Sequence, residues 1–245
     1  MWRVSLFLSF ILAAGALAQP VVPPSVNGVL VATEAGCRSW VPTKLSPPQV
    51  SMASWSGACV AGLAEGKGAL VVEFADKRGL RFDGTMRRGL AFGYGVLDQP
   101  DRTLYEGYFD GGLFEGHGRL TLLSGGTLEA GFRAGAVFGA AIWTLPDGTR
   151  IEGTFDDSLA SGRVLISYQN GEKYGGDLRA GRREGEGFMR FADGSRYDGA
   201  WRDNLPDGQG VLTVGEEHFA GSWRSGCLKV GERWVSRLVR PSSCG

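Results

Sequence analysis

The chain has 245 residues, and 40 of them are Gly, more than twice the usual share of about 7%. Its 26 Lys and Arg residues balance 26 Asp and Glu residues, so it carries no bulk positive charge that would bind a nucleic acid. Two His and four Cys leave few residues for metal or nucleophile chemistry, and we therefore expect neither an enzyme nor a bound cofactor or metal.

Residues 1–18 have the pattern of a secretory signal peptide. A single early charge, Arg3, precedes an apolar stretch, and Ala16 and Ala18 supply the small residues of a cleavage site. The apolar run is shorter than the roughly 20 residues of a membrane-spanning helix. We expect cleavage after Ala18 and an exported protein, periplasmic or secreted, with no transmembrane anchor.

A repeat of about 23 residues occupies the chain from residue 55 to residue 226. Its template is the segment 105–118, YEGYFDGGLFEGHG, and the first residue of each copy is numbered here as position 0. Eight copies begin at Trp55, Phe82, Tyr105, Leu128, Ile151, Tyr174, Tyr197 and Phe219. Position 2 is Gly in seven of the eight copies, and position 11 is Gly in all seven copies that reach it.

Each copy predicts a β-hairpin with one apolar and one polar face. Side chains alternate along a strand, so positions 0, 2 and 4 share a face, and they read Tyr105, Gly107, Phe109 in the template. The glycines at positions 2 and 13 leave room for rings to lie flat on the backbone, and every aromatic residue of the register is interpreted as core. Turn residues recur at one place in the copies: Ser124-Gly125, Asp147-Gly148, Asn170-Gly171 and Asp193-Gly194.

This register resembles the MORN (membrane occupation and recognition nexus) repeat family, in an exported bacterial type, over residues 55–226. The resemblance implies an all-β fold, an elongated single antiparallel sheet of about eight stacked β-hairpins. Copies four and five depart from the register at Ala130, Ala141, Ser158 and Val164. The regularity of the sheet therefore stays an open question there.

The length of such a sheet predicts how the four cysteines pair. Two strands per copy advance the sheet by roughly 9.6 Å, or about 75 Å over eight copies. The two ends cannot meet, whereas a disulfide needs Cα atoms within about 7 Å. We therefore predict one bond between Cys37 and Cys59 and another between Cys227 and Cys244, with both ends of the sheet held by disulfides.

The segments on either side of the repeats are interpreted as caps. Residues 19–54 are rich in proline and predict an irregular extended segment over the first repeat rather than a separate domain. Residues 227–245 form the C-terminal cap, which is either a helix with a basic stripe or a strand that completes the last hairpin. The strand is favoured, with Trp234 facing inward.

No catalytic group emerges from the polar residues of the repeats. An acidic row occupies position 1 of four copies: Asp83, Glu106, Glu129 and Glu152. Neighbours in this row would stand about 9.6 Å apart, too far to chelate one ion, so we expect them to pair across strands with neighbouring Arg and Lys on a solvated face. His117 and His218 are about four copies apart and are expected at the surface.

The resemblance implies a non-catalytic scaffold or protein-interaction module, placed in the cell envelope by its signal peptide. A homodimer is a further expectation, because a second copy would cover an exposed apolar face. The alternative is an envelope lipid- or glycan-binding module that uses the aromatic face and rim arginines. Its candidate contacts are Arg179, Arg182 and Arg183.

Overall fold

The computed structural model describes residues 28–42, 50–99, 103–156, 159–236 and 244. The predicted signal peptide, residues 1–18, lies outside these residues. The described chain divides into two units, here called the N-terminal unit, which ends at Pro146, and the C-terminal unit, which begins at Asp147. Within the described residues, no helix is long and apolar enough to span a membrane.

The N-terminal unit contains eleven strands in its described residues. They are β1 (Gly28–Ala32), β2 (Arg38–Pro42), β3 (Val50–Trp55), β4 (Ala58–Val60), β5 (Leu63–Phe74), β6 (Gly79–Arg87), β7 (Leu90–Asp98), β8 (Leu104–Asp110), β9 (Leu113–Thr121), β10 (Thr127–Arg133) and β11 (Ala136–Thr144). Strand β3 pairs with β5, and from β5 to β11 each strand pairs antiparallel with the next.

The C-terminal unit contains nine strands in its described residues. They are β12 (Arg150–Asp156), β13 (Leu159–Ser167), β14 (Lys173–Arg179), β15 (Arg182–Arg190), β16 (Arg196–Arg202), β17 (Leu205–Val214), β18 (Glu217–Arg224), β19 (Cys227–Val230) and β20 (Arg233–Ser236). Each pairs antiparallel with the next. The predicted all-β fold of repeated hairpins is confirmed.

Two kinds of turn connect the strands, and glycine conformation explains both. Within each copy whose turn the structure describes, positions 6 and 7 both have positive φ, for example 48° at Ala134 and 85° at Gly135, as a two-residue type I′ turn requires. Between copies, Gly194 has a φ of 86°, and Oδ1 of Asp193 accepts the backbone N–H of Ser195 at 2.9 Å. The predicted turn chemistry is confirmed at Gly125, Gly148, Gly171 and Gly194.

A β-bulge in each hairpin explains why position 11 is always glycine. In the third hairpin Gly107 pairs with Gly118, but Tyr108 pairs with Glu115, so Gly116 and the residue after it have no partner on β8. Gly116 has a φ of 64°, in the left-handed region that other residues avoid. The other copies share this conformation, with positive φ at Gly66, Gly93, Gly139, Gly162, Gly185 and Gly208.

The inner face of each unit is a core of rings packed on glycine backbone. A Cβ added at Gly107 or Gly118 would lie 2.5 Å from the hydroxyl oxygen of Tyr105, so the ring occupies the space that both glycines leave empty. The ring of Tyr105 also makes edge contacts with Phe109 and Phe132, at centroid distances of 5.1 and 5.4 Å. Side chains at position 0 are at most 6% exposed in the first seven copies: Trp55, Phe82, Tyr105, Leu128, Ile151, Tyr174 and Tyr197.

Copies four and five keep the same pairing although their residues depart from the register. Ala130 pairs with Ala141, and Gly153 pairs with Val164, just as Gly107 pairs with Gly118 in copy three. The hairpins therefore remain regular in strand register at these copies. Ser158, the remaining departure, lies outside the described residues.

The hairpin β1–β2, which precedes the repeats, packs against a turn of the second copy. The backbone N–H of Trp40 donates to the carbonyl oxygen of Gly89 at 2.8 Å, and the hydroxyl of Ser39 donates to the same oxygen at 3.3 Å. Ser39 and Val41 are fully buried there. The described part of the proline-rich segment thus includes a regular hairpin that covers the turn side of the first repeats.

Both predicted disulfides are present. The Cα atoms of Cys37 and Cys59 are 5.6 Å apart, and those of Cys227 and Cys244 are 5.7 Å apart. Each bond joins a residue outside the repeated hairpins to a strand near the beginning or the end of the described repeats. Because such a bond restricts the unfolded chain, it stabilises strands that have few neighbours.

The C-terminal cap is a strand hairpin over Cys227–Ser236, as favoured from the sequence. Trp234, however, does not face inward. It lies opposite Lys229 in the ladder, and its ring is 4.5 Å from the guanidinium carbon of Arg224. Leu228, which is 4% exposed, takes the inward position instead.

Candidate interaction surface

The acidic row at position 1 is a set of surface ion pairs. Arg81 bonds Asp83 at 2.6 Å and Arg150 bonds Glu152 at 3.0 Å, while Arg119 and Glu129 are 3.8 Å apart. The predicted cross-strand pairing is found for Glu129, whereas Asp83 and Glu152 each pair with an arginine two residues earlier on the same strand. Exposed pairs of this kind contribute at most about 1 kcal/mol each.

The inner aromatic face has no surface to offer a ligand. The hydroxyl groups of Tyr105, Tyr174 and Tyr197 each donate to the carbonyl oxygen of position 3, at 2.8 to 3.0 Å, where the register of the hairpin shifts. Burial raises the pKa of all three hydroxyls above the ordinary tyrosine value. These three tyrosine rings are part of the core, and they are buried within a single chain.

The three candidate arginines do not form one cluster. Arg179 and Arg182 are exposed and lie opposite each other in the ladder, and Arg182 bonds Asp203 at 2.5 Å. Arg183 instead occupies position 9, on the inner face. Its Nη2 donates to the carbonyl oxygen of Asn204 at 2.8 Å.

Arg183 replaces the apolar residues that other copies carry at position 9, such as Phe114 and Val137. Its guanidinium carbon lies 4.6 Å from the centroid of the Trp201 ring. Burial lowers the pKa of the guanidinium, and the nearby hydroxyl of Tyr174 acts in the opposite direction. This side chain is therefore a partly buried cation on the inner face, unlike the exposed Arg179 and Arg182.

The outer face of the N-terminal unit carries a group of aromatic residues that we call the outer aromatic patch. It consists of Phe92, Tyr94, Tyr108 and Phe138. Tyr94 and Tyr108 are directly opposite each other on β7 and β8, with ring centroids 5.6 Å apart and an interplanar angle of 79°. They are 59% and 52% exposed, and Phe138 is 39% exposed.

Arginines stack on the two phenylalanines of the outer aromatic patch. The guanidinium carbon of Arg87 lies 3.3 Å from the centroid of the Phe92 ring, and that of Arg133 lies 3.6 Å from the centroid of the Phe138 ring. Cationic groups thus stand at both ends of the patch, while the two tyrosine rings between them are open to solvent.

The interpretation of every ring as core missed this patch. It holds for buried rings at positions 0, 4 and 9, such as Tyr105, Phe109 and Phe114, but the rings of the patch are at positions 3, 10 and 12. Strand alternation alone assigns those positions to the outer face, so the signal was present in the sequence.

Position 10 has a different role where it is acidic. Oε2 of Glu115 accepts the backbone N–H of Ala134 at 2.9 Å, and Oε1 of Glu184 accepts that of Asp203 at 3.2 Å. Each carboxylate thereby holds the first turn residue of the following copy. The acidic residues at this position are structural and are already hydrogen-bonded.

The positions equivalent to Tyr94 and Tyr108 carry no aromatic residue in copies six and seven of the C-terminal unit. Positions 3 and 12 are Asp177 and Glu186 in copy six, and Ala200 and Gln209 in copy seven. The outer aromatic patch is therefore a property of the N-terminal unit and not of the repeat.

Groups suited to catalysis or to metal binding do not converge in the described chain. No set of three or more His, Cys, Asp or Glu residues is placed to hold a metal ion there. Nδ1 of His218 lies 3.0 Å from the hydroxyl of Thr213, and His117 is an exposed residue of β9. What these repeats present is contact area on the outer face.

Comparison with protein families supports the repeat assignment. Four segments match the model of the MORN repeat: residues 82–103, 105–127, 174–196 and 197–213. They correspond to copies two, three, six and seven, in which a ring at position 0 lies over two glycines. The match confirms the predicted resemblance for these copies.

Solved structures match this chain at low sequence identity. The TCP domain of SAS-4 from Drosophila melanogaster, solved in complex with a proline-rich motif of Ana2, is 12% identical and covers 75% of this chain and 99% of its own, with a TM-score of 0.42. No curated protein matches the sequence.

Proposed function

We propose that this chain is a non-catalytic, exported repeat scaffold of the cell envelope that binds a protein partner through the outer face of its N-terminal unit. The observation that carries the proposal is the outer aromatic patch, because Tyr94 and Tyr108 are more than half exposed beside Phe92 and Phe138. Exposed aromatic residues in a cluster are typical of protein interfaces. The MORN repeat is generally a non-enzymatic binding module, which agrees with this role.

Two features support export. The pattern of residues 1–18 is that of a cleaved signal peptide, and both cysteine pairs form disulfides, which persist in oxidising compartments. Expression of the full chain in a Gram-negative host should yield a periplasmic protein whose mass corresponds to cleavage after Ala18. Uncleaved protein in washed membranes would contradict export.

The alternative function, lipid or glycan binding through the aromatic face, has less support. The rings of that face are nearly inaccessible, and Arg183 is directed into the core. The homodimer was expected because a second copy would cover an exposed apolar face. The rings of the inner face are already buried within one chain, so this argument for a homodimer no longer applies. Self-association through the outer face stays a prediction that the next experiment tests.

Site-specific photo-crosslinking in the envelope tests the proposed function. The crosslinking residue benzoylphenylalanine replaces Tyr94 in one variant, and Gln209 in a control, because both residues hold position 12 and are exposed. The proposal predicts a discrete protein adduct from position 94, lost on adding Tyr108→Thr, and none from position 209. Equal adducts from both positions, adducts with lipid alone, or adducts only with a second copy of the chain would overturn it.

A further inference from the structure

We propose that the outer aromatic patch binds a proline-rich peptide in the polyproline II conformation, laid across the strands of the sheet. This inference rests on the proposed function, since it names the chemistry of the protein partner. It is carried by three properties of the patch: its spacing, the shape made by its rings and the hydrogen-bonding groups around it.

The spacing of the patch matches the polyproline II repeat. Phe92 and Phe138 both hold position 10, and they lie on β7 and β11, four strands apart, which corresponds to about 19 Å. A polyproline II helix advances about 3.1 Å per residue and has three residues per turn, so six residues also span about 19 Å. One face of such a peptide would therefore meet an aromatic ring at both ends of the patch.

Tyr108 lies on β8, between the strands of the two phenylalanines, one strand from β7 and three strands from β11. An added Cβ at Gly116 of β9 would lie 3.7 Å from the Cβ of Tyr108. The absence of a side chain at Gly116 thus leaves the space beside Tyr108 open. A peptide residue between the two ends can rest on this ring.

The two tyrosines form a notch that suits a prolyl ring. Their planes meet at 79°, so one ring forms a floor and the other a wall, and both are more than half exposed. Proline-rich segments dock into aromatic-lined grooves because their rings are flat and apolar. Their backbone is also already extended, so binding orders few residues.

Hydrogen-bonding groups around the patch suit a proline-rich peptide. Prolines offer carbonyl acceptors and no backbone N–H donor, and the patch offers donors in the tyrosine hydroxyls and the guanidinium groups of Arg87 and Arg133.

Fluorescence anisotropy with a labelled oligoproline nonamer tests the inference on the mature, disulfide-bonded protein. We expect saturable binding to the wild type and none to a Gly-Ser nonamer with the same label. The variant Tyr94→Thr/Tyr108→Thr should weaken binding roughly tenfold or more, because exposed aromatic residues commonly dominate such contacts. Threonine keeps a high strand propensity, and thermal unfolding would check that the variant remains folded.

The control replaces two exposed apolar residues of the C-terminal unit, Leu165→Thr/Val214→Thr. These residues are 38% and 43% exposed, so the control removes exposed apolar surface away from the patch. Its affinity should equal that of the wild type. Equal losses in the two double variants, or no binding of the nonamer at about 1 mM, would overturn the inference.

A series of oligoprolines separates the spacing argument from general stickiness. Affinity should rise from the trimer to the nonamer, as the peptide reaches all three ring positions, and should then level off. A steady rise beyond the nonamer would contradict the predicted footprint. If position 94 crosslinks a protein in the envelope while the nonamer does not bind, the proposed function stands and the polyproline inference fails. A wild-type dimer that Tyr94→Thr/Tyr108→Thr dissociates would also contradict it.

Discussion

Hairpins three and four of the N-terminal unit have the same ladder register and different residues at its centre. In hairpin three, β8–β9, the ring of Tyr105 lies over Gly107 and Gly118. In hairpin four, β10–β11, the smaller Leu128 faces Ala130 and Ala141, which pair in the same way.

The comparison shows that the two hairpins keep a filled core with different residue types. In hairpin three a large ring fills the space above two glycines, and in hairpin four a smaller side chain fills it together with the methyl groups of two alanines. The three residues in hairpin four are at most 4% exposed. Protein interiors tolerate such compensating exchanges when total volume is kept.

The largest effect is expected for Gly118→Ala. Its Cβ would lie 2.5 Å from the hydroxyl oxygen of Tyr105 and must displace a fully buried ring. We expect a loss of about 3 kcal/mol in the free energy of unfolding, the upper range for overpacking. The matched change Ala141→Gly in hairpin four should cost only about 1 kcal/mol. Urea denaturation of both variants checks this, and equal losses would refute the difference between the hairpins.

Arg183→Ala should have the next largest effect, about 2 kcal/mol. It removes the stacking on Trp201 and leaves the carbonyl oxygen of Asn204 without this donor. Arg183→Met should be within about 1 kcal/mol of the wild type or more stable, because an apolar side chain avoids burying a charge. Arg182→Ala is the exposed control, expected to change stability by less than about 0.5 kcal/mol. A greater loss for Arg182→Ala than for Arg183→Ala would contradict the assignment of their faces.

Gly139→Ala tests the bulge that both hairpins share. No atom lies within 4 Å of the added Cβ, so the cost comes from the φ of 79° alone. We expect a loss of about 1 to 2 kcal/mol in the free energy of unfolding, which is the conformational cost of placing an L residue in the left-handed region. Gly139→Asn should lose less, because asparagine tolerates this conformation. Chemical denaturation that ranks Asn below Ala would show that steric contact, and not φ, dominates.

Tyr105→Phe should have the smallest effect, about 1 kcal/mol at neutral pH, from the lost hydrogen bond to the carbonyl of Tyr108. Because burial raises the pKa of the Tyr105 hydroxyl, the native chain keeps a proton above about pH 10 that the unfolded chain releases. The contribution of the Tyr105 hydroxyl to the free energy of unfolding is complete below about pH 10 and declines as the pH rises further. The gap between wild type and variant should therefore shrink between about pH 10 and 11. A constant gap across that range would contradict the linkage.

Much of the fold follows from the sequence because its signals are local and repeated. The hairpin period, the turn glycines and both disulfides are confirmed, and each depends on strand geometry that one copy already defines. The regularity of copies four and five required the structure, since only the packing shows that Leu128 compensates for Ala130 and Ala141.

The interaction surface was less predictable, for two separate reasons. Arg183 was grouped with Arg179 and Arg182 by closeness in sequence, although strand alternation sends it to the opposite face. The rings of Tyr94 and Tyr108 were interpreted as core because aromatic residues dominate the inner face. Their exposure depends on position within the copy and not on residue type.

A double-mutant cycle on Tyr105→Leu and Gly118→Ala tests the central claim, that ring and glycine fill one volume together. The double variant reproduces at Tyr105 and Gly118 the combination that hairpin four has at Leu128 and Ala141. We predict that the smaller side chain relieves the overpacking. The loss in the free energy of unfolding of the double variant should therefore be at least about 1 kcal/mol smaller than the sum of the two single losses. Strict additivity of the two losses would contradict the account.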